Sequence, residues 1–163
     1  MTKEEDKCLP EFKKEYEKLA KKHNLPSFAE MNKDFHIEKL AEVETDYLIR
    51  EIRRFASEKF FNYFRFIESL LNPSNASMFT FSIVKTLGTK EKDKLSELYK
   101  KFAELELEFI LIDVEYSEEK EAKFLKSFCK EWQEIKKEMS DILEFIKKNW
   151  KNKSKVLDKN YFG

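Results

Sequence analysis

Residues 45–72 read TDYLIREIRRFASEKFFNYFRFIESLLN, the most aromatic stretch of the chain and the one that holds all four of its arginines: Arg50, Arg53, Arg54 and Arg65. No glycine or proline interrupts it before Pro73, so nothing within it stops a helix. Ile49, Ile52, Ala56, Phe60, Tyr63, Ile67 and Leu70 recur three or four residues apart, with Phe61, Phe64 and Leu71 as a second row beside them. A stripe that wide belongs to a helix packed on more than one neighbour. The spacing predicts the central helix of an all-α bundle.

Working back from this stretch, Ile37, Leu40, Val43 and Tyr47 continue the helical period, so one helix is expected from about Ile37 to Leu71, with residues 44–46 as the place for a kink. Ser27-Phe-Ala-Glu30 reads as a capping box opening a short helical turn after the Leu25-Pro26 break. Phe12, Tyr16, Leu19 and Ala20 give the first helix a single apolar side. Pro10 suits its start, and Lys21-Lys22-His23 suit its negative end. Residues 1–7 are polar and expected to fray.

Working forward, Asn72-Pro73-Ser74-Asn75 predicts a turn. Residues 76–87 are ambiguous: Phe79, Phe81 and Ile83 alternate as in a strand, whereas Phe79, Ile83, Val84 and Leu87 fit a helix face. A short helix closed by Gly88 is the expectation, since a lone strand has no partner. Leu95, Leu98, Phe102, Leu105, Phe109, Ile112 and Tyr116 then keep a three-four alternation over a helix expected at 90–116. Ser117 caps the next, expected at 118–150, where Leu125, Phe128, Trp132, Ile135, Met139, Ile142 and Ile146 do the same. The expected fold is thus all-α, an elongated bundle of five or six helices with an antiparallel, coiled-coil-like C-terminal pair. Residues 1–150 form a single domain in this reading, and 151–163 a polar, basic, flexible tail.

Composition narrows function by exclusion. The chain has 163 residues, 41% hydrophobic and 39% charged, with two glycines and three prolines. The two glycines, Gly88 and Gly163, lie too far apart for a phosphate loop and are one too few for a dinucleotide fingerprint, and no serine sits in a G-x-S-x-G turn. Cys8 and Cys129 lack metal-ligand spacing, and neither His23 nor His36 stands in a Glu-x-x-His motif. Glu44, Glu51 and Glu58 lie seven apart, which suits a solvated or salt-bridged face better than a metal site. No apolar run approaches a membrane span, so a cytoplasmic chain with reduced thiols, no cofactor and no catalytic activity is expected. Lysine and arginine together equal aspartate and glutamate at 32 each, a balance that disfavours a dedicated duplex-binding protein without forbidding a local basic patch.

The best candidate site is set by charge layout. Glu104, Glu106, Glu108, Asp113 and Glu115 occupy a span with no lysine or arginine. With Phe102 and Phe109 at a and Leu105 and Ile112 at d, Glu106 and Asp113 fall at e and Glu108 and Glu115 at g, positions that flank a packed seam. Arg50, Arg53, Arg54, Arg65, Glu106, Glu108, Asp113 and Glu115 therefore form a candidate cluster with two readings. In one, the guanidinium forks pair with these carboxylates inside the fold. In the other, the arginines are open to phosphate, carboxylate or an acidic partner.

The motifs Leu25-Pro-Ser-Phe28, LIREIRR at 48–54 and Leu70-Leu-Asn-Pro73 resemble uncharacterised all-helical proteins from archaea, over most of residues 25–135. The resemblance implies a cytoplasmic, archaeal protein and carries no activity with it. The function expected is a helical module that meets a protein partner or another copy of itself. The alternative is nucleic-acid or ribonucleoprotein binding through the arginine helix and the basic tail.

Overall fold

The computed structural model describes residues 5–75 and 77–160, and these form six α-helices and two short 3-10 turns, with no strand among them. The helices are α1 (Glu5–His23), α2 (Phe28–Phe35), α3 (Leu48–Leu71), α4 (Met78–Val84), α5 (Thr89–Val114) and α6 (Glu118–Asn160). The fold is all-α, as the periodicity predicts. Expectations placed on residues 1–4, 76 and 161–163, and on the side chains of Cys8, Val156 and Leu157, lie outside the described residues.

Several boundaries differ from the sequence reading, each for a local reason. Pro10 lies inside α1 rather than at its start. The helix expected from Ile37 is broken: Ile37–Leu40 is a 3-10 turn, and α3 begins only at Leu48. His36 ends α2 in the left-handed conformation (φ 56°), which turns the chain out of helix. Thr45 Oγ1 accepts from the Tyr47 amide at 3.0 Å, and the Tyr47 carbonyl takes the first amides of α3. A threonine side chain competing for backbone hydrogen bonds thus replaces the kink by an interruption. Gly88 opens α5 instead of closing α4. Its carbonyl accepts from Lys92 and its amide donates to Glu91 Oε2 at 3.1 Å. A Cβ there would lie 2.8 Å from that same oxygen. α6 continues past Trp150 to Asn160, so most of the expected tail extends the helix.

Two caps are where the sequence placed them. Ser27 and Glu30 form a reciprocal capping box on α2. Ser117 caps α6, its Oγ accepting from the Lys120 amide and its carbonyl from Glu121.

The chain divides into two compact units, Met1–Asn62 with Leu105–Glu131, and Tyr63–Glu104 with Trp132–Gly163. The core of the first is built on phenylalanines. Phe109 lies 4.5 Å from Phe124 and 5.6 Å from both Phe60 and Phe128 between ring centroids, and Phe35 stacks on Phe128. Such pairs add about 0.5–1.5 kcal/mol each beyond the area they bury. The Tyr16 hydroxyl, buried with its ring, donates to the Pro26 carbonyl at 2.7 Å and so ties α1 to the break before α2.

In the second unit Phe64 stacks on Phe102 at 5.6 Å with rings 2° from parallel, and Trp132 lies buried beside Tyr63. Leu95, Leu98, Ile135, Met139, Ile142 and Ile146 also belong to this core, all on the three-four rows read from the sequence. The second tryptophan, Trp150, is partly exposed and meets Phe79 of α4 edge-on at 5.2 Å. Lys101 and Glu138 join α5 to α6 here at 2.6 Å.

Candidate functional site

The arginine cluster lies in the first unit, where the N-terminal half of α3 faces the end of α5 and the start of α6. Three turns of helix set it up. Arg50, Arg53 and Arg54 lie within one and a bit turns of α3, so their side chains reach the same neighbourhood. The interior member is Arg53, 1% exposed, whose Nε donates to Oε2 of the fully buried Glu121. Its Nη2 donates to Glu121 Oε1 at 3.3 Å and to Asp113 Oδ1 at 2.5 Å. Burial pulls the guanidinium pKa down, but the hydrogen bonds and charges of Glu121 and Asp113 outweigh it and raise the pKa above its ordinary value.

The other two arginines close the network. Arg50 Nε is 3.5 Å from Glu121 Oε1, its Nη2 donates to the Asp113 carbonyl at 3.4 Å, and its guanidinium lies over the Tyr116 ring at 5.2 Å. That Nε is buried and makes no hydrogen bond, so its contact with Glu121 is ionic only. Arg54, half exposed, is 3.8 Å from both Asp113 and Glu51. Three guanidinium groups thus meet the three carboxylates Glu51, Asp113 and Glu121, and the cluster balances its own charge. What this arrangement does chemically is hold α3 against α5 and α6.

Of the expected cluster, the structure brings together Arg50, Arg53, Arg54 and Asp113. Glu115 pairs instead with Lys120 at 3.4 Å, and Glu106 and Glu108 make no ion pair among the described residues. Arg65 is exposed in the other unit, likewise without an ion pair among the described residues. The carboxylate that the sequence reading missed is Glu121. Its signal was present: it stands three, four and seven residues before Phe124, Leu125 and Phe128, on the apolar row itself. An acid on a buried row needs a cation. Its place in the first turn of α6 also sets it at the positive end of the helix dipole.

The remaining polar groups have local roles. Glu118 accepts from Lys22 Nζ at 2.8 Å and meets His23 Nε2 at 2.6 Å, joining the end of α1 to the start of α6. Those two contacts hold the Glu118 carboxyl below its usual range. Beside it is a cleft of about 310 Å³ lined by residues that include Lys18, Asp46, Tyr116 and Glu118. Cys129 is buried with its sulfur 3.3 Å from Met31 Sδ, and burial pushes the thiol up to about 12, which leaves it protonated and unreactive at neutral pH. Glu44 precedes α3, so it does not share a helix with Glu51 and Glu58. Among the described residues no three His, Cys, Asp or Glu side chains group as metal ligands, and no helix is long and apolar enough to cross a membrane.

A second feature, absent from the sequence reading, is the outer face of α5. Leu107, Ile110, Leu111 and Val114 are all exposed, from 55% at Ile110 to 82% at Val114. At 100° per residue they form one stripe facing away from Leu105 and Phe109, which are buried. The run Phe109-Ile-Leu-Ile112 is apolar all round the helix, which was the available signal.

Comparison with protein families, with characterised proteins and with solved structures finds no match to this chain.

Proposed function

We propose that this chain is a non-enzymatic helical interaction or assembly module that presents a helix face to a protein partner. The observation that carries this reading is the exposed Leu107–Ile110–Leu111–Val114 stripe on α5. Apolar residues scattered singly over a surface need no explanation. Four at i, i+3, i+4 and i+7 on one helix make a contiguous patch of the kind that marks a protein contact.

The intramolecular pairing of Arg50, Arg53 and Arg54 weighs against the nucleic-acid alternative, because guanidiniums already matched to carboxylates have little charge to offer phosphate. The test is recovery of a protein partner or a second copy on the tagged full-length chain, compared with Leu111→Glu. Recovery by the natural chain and its loss in a variant with an unchanged circular dichroism spectrum supports the module. Equal recovery by both chains refutes it.

A further inference from the structure

We infer that the outer face of α5 receives a partner helix whose apolar stripe is bordered by lysine or arginine; this rests on the interaction reading above and names the chemistry of its partner. The apolar face is unpartnered, and the charges around it are of one sign. Between Lys101 and Lys120 the sequence holds no base at all. On the helix surface the stripe therefore has acids on both sides: Glu108 on one flank, with Glu115 just past the end of α5, and Glu106 and Asp113, seven residues apart, on the other. Asp113 is taken by the arginines, and Glu115 forms an exposed pair with Lys120. Glu106 and Glu108 have no ion-pair partner among the described residues. The net border of the stripe is negative.

Charges beside an apolar helix seam choose the partner that docks there. A helix with Leu or Ile along one face and Lys or Arg beside it would cover the stripe and pair with Glu106, Glu108 and Glu115. A second copy using this same face would set Glu108 and Glu115 against their own kind, in parallel or antiparallel order, so self-pairing through α5 is disfavoured. The exposed phenylalanines of α4 differ in kind, since Trp150 lies against Phe79 and Lys85 lies over Phe81.

The experiment titrates the full-length chain with three labelled helical peptides of about 20 residues, long enough to hold a helix. They share one Leu/Ile stripe and differ only in flanking Lys, Gln or Glu. The expected result is binding of the Lys peptide roughly tenfold tighter than the Gln peptide, the effect of two or three partly exposed charge pairs. That preference should collapse in Glu108→Gln/Glu115→Gln. Binding itself should fall by tenfold or more in Leu111→Glu, whose exposed site leaves the fold intact, as circular dichroism verifies. Equal binding of the Lys and Gln peptides overturns the basic-partner inference and leaves the interaction module standing. Concentration-dependent self-association lost in Leu111→Glu, with no peptide bound, makes the occupant a second copy and likewise overturns it. A monomer that binds none of the three peptides removes both readings.

Discussion

Arg53 on α3 and Leu111 on α5 depart from the usual partition of side chains in opposite directions, within the same compact unit. One is a charge almost wholly removed from water and the other a leucine left largely in it. The charge is compensated: Glu121 and Asp113 accept from three of its hydrogens, and Arg50 shares both carboxylates. The leucine is not, since Ile110, Leu107 and Val114 beside it are exposed as well. A buried ion matched by carboxylates of its own chain is a finished piece of architecture. An apolar row with none is unfinished, and that difference is why the stripe, not the arginine cluster, carries the functional proposal.

The sharpest way to break this contrast is to orphan the buried guanidinium. Glu121→Ala should cost about 3–5 kcal/mol, because Arg53 keeps its charge and loses its principal acceptor. Urea unfolding followed by circular dichroism measures it. The pair Arg53→Met/Glu121→Leu should recover most of that loss, since well-packed apolar replacements for a buried ion pair are often neutral or stabilising. A double variant as weak as the single one would mean that the pair does more than neutralise itself.

The two faces of α5 offer the next largest effect. Phe109→Ala removes a buried ring in contact with Phe60, Phe124 and Phe128 and should cost about 3–5 kcal/mol. Leu111→Ala, two residues on, should change stability by no more than about 0.5 kcal/mol. Similar losses at both positions, again by urea unfolding, would show that the outer row packs on something within the chain.

Asp113→Asn should be milder than Glu121→Ala, about 1 kcal/mol, because Asp113 is half exposed and water screens its attraction to the arginines. A loss equal to that of Glu121→Ala would make the exposed edge of the cluster as important as its buried centre.

The smallest expected effect is pH-dependent. Lys22 and His23 depress the Glu118 pKa in the folded chain, so its contribution is present above the unfolded value of about 4.3 and is lost as pH falls through the lower folded value. The stability gap between the natural chain and Glu118→Gln should be well under 1 kcal/mol at about pH 5.5 and should close as pH falls below the lowered folded value. A gap that persists in acid would point to shape rather than charge at this position.

Much of this architecture could be read residue by residue. The rows through Ile49–Leu70, Leu95–Phe109 and Leu125–Ile146 are buried where their spacing puts them, apart from the partly exposed Tyr63, and the capping box and Ser117 lie where their side chains require. Boundaries were less legible wherever a side chain competes with the backbone ladder, as Thr45 does before α3, or where a glycine serves the helix after it, as Gly88 does. The candidate cluster was half legible. Three arginines and Asp113 meet, but Glu106 and Glu108 lie elsewhere on the helix surface, Glu115 lies just past its end, and Glu121 replaces them.

Local periodicity and capping chemistry act over a few residues, so the sequence by itself determined that this chain is helical, which faces are apolar and roughly where each helix begins. Which carboxylate an arginine meets depends on residues 60 to 70 positions apart being brought within hydrogen-bonding distance, as Arg53 and Glu121 are. Only the tertiary structure decides that. It alone also decides which of two apolar rows on α5 finds neighbours: packing one row against α3 and α6 turns the other outward, because a helix cannot bury opposite faces in a single interface.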